Sequence, residues 1–287
     1  MLQYRLRWED TTVVARVFDA DLVSHAVRLL DLVEEHEDAA QIGPLDILVC
    51  RQENGYLLQT PRVVWHIERE EDLALCFVSI VSSCFLSNYA GTVLHAGAFV
   101  VNGEAVVFSG GGRSGKSALS LAALQLGYRV IGDDWVVIDN SEPRVRSFPK
   151  GIKLRVAGPR LDKSMQGLFS RDYLLGRLNG EEEYSLLLGR RCPNMAPYGI
   201  SLPVRRLLLV ERGMHTVLLP VQRNAMLGSV LDRVMLPRSQ STPLGIVRFL
   251  EPLWRQKKVC RLIVGENDLR DAIAIMAEKG PFLPFPP

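Results

Sequence analysis

The chain has 287 residues, of which 47% are hydrophobic and 23% charged, and its formal charge is +2. That length carries one large domain or two smaller ones, and the near balance of charge argues against a dedicated nucleic-acid binder. Four Trp, seven Tyr and ten Phe supply a proper core, which excludes global disorder.

Residues 1–90 read as a small α/β region. Its opening, Met1 to Arg5, alternates polar and apolar residues and lacks the apolar run of a signal peptide. Leu2–Trp8 and Thr12–Phe18 alternate as strands do, whereas Asp19–Glu37 has helical spacing, with Leu22, Val23, Ala26, Leu29, Leu30 and Val33 on one face. Asp46–Arg51 and Tyr56–Gln59 flank Asn54-Gly55, a hairpin signal, and Pro61 leads into a short strand, Val63–Ile67. Asp72–Asn88 reads as a buried helix. Its apolar run, Leu73–Leu86, contains Ser79, Ser82 and Ser83 and is too short to cross a bilayer.

Residues 91–287 form the second region. Thr92–Val101 is predicted as one strand, Asn102-Gly103 as a turn and Glu104–Ser109 as a second strand running into a glycine cluster. Ser117–Leu126 is predicted helical with Gly127 as its C-terminal cap, and Tyr128–Ile131 and Trp135–Asp139 as strands. Strand, glycine-rich turn, helix and strand in that order are a βαβ signature. The segment 144–206 is irregular and basic, with thirteen Lys and Arg against five Asp and Glu. It reads either as solvated surface or as a clamp for phosphates or an acidic substrate through Lys150, Lys153 and Arg155. Arg206–Glu211 and Met214–Leu219 read as a hairpin turned at Gly213. Helices are predicted over 224–234, from Thr242-Pro243 onward, and from an Asn267 or Asp268 cap to about Lys279, with a strand at Val259–Val264. The tail from Gly280 to Pro287 is expected to be irregular.

The five cysteines, Cys50, Cys76, Cys84, Cys192 and Cys260, form no C-x-x-C pair and have no His at zinc-finger spacing. Scattered thiols without a membrane segment lead to the expectation of a soluble, cytoplasmic protein with no membrane partner.

The chemistry concentrates at Gly110-Gly111-Gly112-Arg113-Ser114-Gly115-Lys116-Ser117, which matches G-x-x-x-x-G-K-[ST] between a predicted strand and a predicted helix. Glycines let successive backbone N–H groups turn toward phosphate oxygens, and the helix adds its positive N-terminal end. Lys116 is then expected on the β- and γ-phosphates and the Ser117 hydroxyl on Mg²⁺. Asp133-Asp134 follow the next predicted strand. Two adjacent acids there can divide the work, one binding metal and the other accepting a proton, or they can be a plain acidic turn. His95 lies in the strand that precedes the loop's own strand. Glu211 ends the apolar run Leu207–Val210 and is a weaker candidate for the metal or its waters.

Leu94-His95-Ala96-Gly97-Ala98, the loop at 110–117, and Gly127-Tyr128-Arg129-Val130-Ile131-Gly132-Asp133-Asp134 together resemble the core of HPr kinase/phosphorylase and its relatives, over about residues 92–155. The resemblance implies an α/β fold with a P-loop core related to phosphoenolpyruvate carboxykinase, beside a small N-terminal α/β unit. It also implies transfer of the γ-phosphoryl of ATP to a serine hydroxyl. Carried over by residue, it makes Asp133 the catalytic base, gives Asp134 with Ser117 to the metal, and sets His95 and Lys116 near the reacting centre. The chain lacks the family's second glycine-rich signature in 144–206, and residues 1–90 do not look like its regulatory domain. It looks more like the HPr-kinase-related proteins of peptide-modification systems, including those that phosphorylate the C-terminal serine of lasso-type precursors. The expected acceptor is therefore a peptide or protein serine, with no nucleic acid; a homo-oligomer is left open. The competing class is a non-catalytic ATP-binding module. A GTPase is disfavoured because no Asn-Lys-x-Asp guanine motif is present.

Overall fold

A computed structural model of the chain describes residues 2–18, 21–30, 33–38, 46–89, 91–139, 141–148, 150–156, 173–177, 184–188, 192–235, 243–265 and 268–278. It is a mixed α/β protein in two compact units: residues 1–89 with 149–193, and residues 90–148 with 194–287. Part of the basic middle segment, 149–193, thus clusters with the N-terminal residues rather than with the stretches on either side of it.

In the first unit, strands β1 (Leu2–Trp8), β2 (Thr11–Val17), β3 (Val33–Asp38), β4 (Ile47–Gln52), β5 (Gly55–Gln59) and β6 (Val64–Ile67) form a six-stranded sheet in the order β3-β1-β2-β4-β5-β6. The Asn54-Gly55 hairpin forms as expected, with Gly55 at φ 121°, where a side chain would be strained. The helix predicted over Asp19–Glu37 is shorter. Helix α1 spans Asp21–Leu30, and Val33–Asp38 instead pairs antiparallel with β1. An open sheet edge overrides the helical spacing there, because pairing satisfies a full row of backbone groups.

Helix α2 (Glu70–Asn88) packs Leu73, Phe77 and Phe85 into the core. Ser82, Ser83 and Ser87 donate their hydroxyls to the carbonyls four residues earlier, which lets serines sit in an apolar helix. Trp8 closes this core against Phe85 and Tyr89, with ring centroids 6.2 and 4.8 Å away. Among the described residues no helix is long and apolar enough to cross a membrane. A small sheet, β13-β15-β14 (Ile152–Val156, Tyr184–Leu188, Tyr173–Arg177), completes the unit, with α2 against β14.

The second unit is a ten-stranded sheet. Its strands are β7 (Thr92–Leu94), β8 (Ala96–Val101), β9 (Glu104–Ser109), β10 (Val130–Gly132), β11 (Val136–Ile138), β12 (Arg144–Ser147), β16 (Ser201–Gly213), β17 (Val217–Pro220), β18 (Val234–Met235) and β19 (Val259–Gly265). The main path is β10-β8-β9-β16-β12-β11-β7-β18, and β19 pairs with both β16 and β17. Helix α3 (Lys116–Gln125) connects β9 to β10, and the two strands run parallel with antiparallel β8 between them. The βαβ signature is therefore realised one strand apart.

Helix α6 (Leu269–Ala277) packs beside α3, while α4 (Arg223–Leu231) and α5 (Pro243–Arg255) join a large apolar cluster on the sheet. That cluster holds Ala96, Ala98, Val107, Leu207 and Leu209 of the strands against Met226, Val230, Phe249 and Leu253 of the helices. Each fully buried large side chain there contributes about 1.5–3 kcal/mol. Helices α3 and α4 and strands β10, β11 and β19 lie within a residue or three of their predicted spans, and Gly127 closes α3 at φ 82°. The hairpin expected from Arg206 to Leu219 does not form: β16 and β17 each pair with β19, parallel and antiparallel respectively. Thr242, Asn267 and the tail from Gly280 fall outside the described residues.

Candidate active site

The site is built in the interior of the second unit's sheet, at the carboxyl end of β9, which lies between β8 and β16. Strand β9 is buried almost throughout and delivers the chain to Gly110, which is also buried. A Cβ on Gly110 would lie 2.5 Å from the Val210 carbonyl oxygen of β16 and 2.5 Å from Ser114 Oγ, so only glycine fits. Gly111 and Gly112 are exposed, and nothing stands within 4 Å of where their side chains would begin. Arg113 (φ 61°) and Gly115 (φ 97°) take left-handed conformations, and Ser114 N–H donates to the Gly111 carbonyl at 3.3 Å. Together these curl the backbone around an open centre. Gly115 caps α3 with no side-chain hydrogen bond, so the helix's first N–H groups face the loop without an acceptor from a capping side chain.

Lys116 is 7% exposed, and its Nζ donates to the carbonyls of Gly110 at 2.9 Å and Gly111 at 3.1 Å. The ammonium is thereby held over the loop. Ser117, the next residue on α3, is half-buried.

The predicted strand Thr92–Val101 is broken at His95. Strand β7 pairs with β11 and β18, β8 pairs with β9 and β10, and His95 is the joint between them. Three bonds fix that joint. His95 N–H donates to the Arg233 carbonyl at 2.8 Å, Ser109 Oγ donates to the His95 carbonyl at 2.9 Å, and Ala96 N–H donates to the Asp134 carbonyl at 3.0 Å. Ala96 is paired with Ser109, the last strand residue before the loop.

The imidazole meets the Asp134 carboxylate, Nε2 to Oδ1, at 2.6 Å, and both side chains are about one-third exposed, at 33% and 28%. Asp133 is 2% exposed. The turn that presents the two acids needs Gly132, whose Cβ would lie 2.8 Å from the Trp135 carbonyl oxygen.

His95, the loop at 110–117 and Asp133-Asp134 are thus brought to the carboxyl end of β9. Glu211 lies on the neighbouring strand but pairs with Arg261 across the exposed surface. Lys150 and Lys153 belong to the first unit, and the side chain of Arg155 lies outside the described residues. Reading the sequence for carboxylates at the end of β16 passes over the next residue, Arg212. Its Nε lies 3.9 Å from the place a Cβ would take on Gly115. The signal available was a cation directly after the Walker-B-like run Leu207–Glu211.

The residues fit a magnesium–nucleotide complex in three respects. The loop's centre is sterically open at Gly111 and Gly112, an uncapped helix end faces it, and Lys116 supplies positive charge. Among the described residues no group of three or more His, Cys, Asp or Glu side chains could hold a metal alone. The chain matches no protein-family model and no curated protein sequence.

Proposed function

We propose that the second unit binds ATP with Mg²⁺ and transfers the γ-phosphoryl group to a serine hydroxyl of a peptide or protein. The observation that carries this reading is the convergence of a P-loop with a His–Asp pair and a second, buried aspartate at the carboxyl end of β9. A module that only holds nucleotide needs the loop and a metal carboxylate; it has no use for a histidine fixed on the second acid. The P-loop kinase fold of the HPr kinase and phosphoenolpyruvate carboxykinase type is part of the same proposal, as are a cytoplasmic location and a ribosomal peptide precursor as acceptor.

Loop N–H groups and Lys116 bind and orient the phosphates, neutralising charge that builds on the γ-phosphoryl. Bound Mg²⁺ would supply further neutralisation, held by Ser117 and Asp134. A serine hydroxyl is a weak nucleophile at neutral pH, and Asp133 is assigned to accept its proton. The 2.6 Å bond between His95 and Asp134 favours a second reading in which that pair takes the proton and the buried Asp133 holds the metal.

The test measures ATP affinity and transfer of labelled γ-phosphate to serine peptides encoded near the gene. Lys116→Ala should abolish most of the ATP-induced rise in Tm, since ligand bound only to the folded state stabilises it by mass action. Asp133→Asn should leave ATP binding nearly intact and lower transfer by about 10²-fold or more. If Asp133→Asn transfers at the wild-type rate while His95→Asn does not, the second reading replaces the first. ATP binding without transfer to any such peptide would leave a nucleotide-binding module.

A further inference from the structure

We infer that Arg212 is a polyphosphate-binding residue of this site, its guanidinium contacting the phosphoryl oxygens of the nucleotide from the side of β16. The inference rests on the reading of 110–117 as a nucleotide loop and adds a residue that the loop motif does not contain.

Strand β16 is buried from Leu207 to Val210 and emerges into solvent at Glu211 and Arg212. It runs parallel to β9 with Leu209 opposite Ser109. The two strands therefore leave the sheet in the same direction, and the residues after Leu209 travel alongside the loop. The Val210 carbonyl stands where a side chain on the loop's first glycine would lie. Arg212, two residues on, shares Val210's face by strand alternation. Its Nε reaches to 3.9 Å from the Cβ position of Gly115, the residue that caps α3. The guanidinium is thus at the mouth of the loop, on the side where α3 begins.

The acids beside it on the chain and on β19 are already engaged. Glu211 is engaged by Arg261 on β19. Asp268, which lies against Gly265 at the end of β19, accepts from Thr216 N–H at 3.2 Å. Among the described residues no acceptor pairs with Arg212. It shares the mouth with Lys116 and the positive end of α3, both of the same sign. An anion entering this opening is attracted by all three. An extended polyphosphate meets all three, and a guanidinium offers it two parallel N–H donors in fixed geometry. A cation in this position also opposes the charge that develops during phosphoryl transfer.

The experiment titrates the full-length protein with MgATP, MgADP and inorganic triphosphate by calorimetry. It compares wild type, Arg212→Ala, Arg212→Lys, Arg261→Ala and Lys116→Ala. Arg212 is exposed, so its variants should keep the wild-type urea midpoint. Arg212→Ala should weaken ATP and triphosphate alike, by about tenfold, because a hydrogen bond to a charged group is lost. Arg212→Lys should recover part of that loss, since it keeps the charge without the fork. Arg261→Ala, the neighbouring arginine already paired, should bind as wild type. Wild-type ATP affinity in Arg212→Ala, with binding lost in Lys116→Ala, would overturn the inference and leave the loop assignment standing. Weakened ATP with unchanged triphosphate would also overturn it, by moving Arg212 to the nucleoside. No ATP binding by wild type would sink the inference and the loop assignment together.

Discussion

Gly110 offers the sharpest test of the loop's geometry, because its neighbours differ from those of the two glycines after it. Alanine at 110 would bring a methyl to 2.5 Å from the Val210 carbonyl oxygen, well inside contact distance, and to 2.9 Å from Ser114 Cβ. Val210 sits in the middle strand of a parallel trio, held by β9 on one side and β19 on the other, so its carbonyl has little room to retreat. The loop must move instead. Overpacking of this kind costs about 1–3 kcal/mol.

Gly110 is also the acceptor for Lys116 Nζ, so the displacement takes the ammonium's anchor with it. Alanine at 111 or 112 meets nothing within 4 Å, and neither residue has positive φ, so both variants should fold as wild type. Urea unfolding would read the stability change as a shift in midpoint at constant m. The ATP-induced change in Tm would read the loop's function. Gly110→Ala should lose on both counts, while Gly111→Ala and Gly112→Ala should keep their urea midpoints. A Gly110→Ala protein with the wild-type midpoint and ATP response would refute the packing of this loop against β16.

The opposing face of the same hairpin gives a second packing prediction. Gly97 pairs with Phe108, and a Cβ at 97 would lie 2.3 Å from Phe108 Cε2, so Gly97→Ala should lower the urea midpoint by about 1–3 kcal/mol worth of stability. Burial pushes the thiols of Cys76, Cys84 and Cys260 from 9.0 up to about 11. All three should resist alkylation at neutral pH and react readily in denaturant, as read by mass spectrometry, because only the thiolate attacks. For the same groups the folded chain keeps protons that the unfolded chain releases above pH 9. Their stabilising contribution is full below that pH and should fall as pH rises through about 11, as alkaline urea titrations would show.

How much of this was legible in the sequence depends on whether local signals agreed with distant partners. Strands β1, β2, β4 and β5 and helices α2 and α3 announce themselves through alternation, helical spacing and glycine caps, and each is found where these place it. The loop was legible because its motif is contiguous. The failures are all matters of pairing. Val33–Asp38 continues a helical pattern, yet β1 has an unpaired edge that takes it as a strand. Gly213 looks like a hairpin turn, yet β19 enters between β16 and β17 from fifty residues away in sequence. No window of local sequence contains that strand's competing claim.

The break at His95 is the instructive case, because the site depends on it. Thr92–Val101 is apolar from Val93 onward apart from that histidine and reads as one strand. An unbroken strand would present alternate side chains to opposite faces along a single line of neighbours. In the folded chain, 92–94 and 96–101 belong to different neighbours, so the residue between them is released from both ladders. Its backbone is then tied to β9 through Ser109, and Ala96 beside it to the Asp134 carbonyl. One joint therefore ties the strand that feeds the 110–117 loop to the turn that presents the acids. At this joint the histidine meets Asp134 between the two strands. The departure from local pattern and the assembly of the site have the same cause, and it lies in which strands pair rather than in the residues from 92 to 101 themselves.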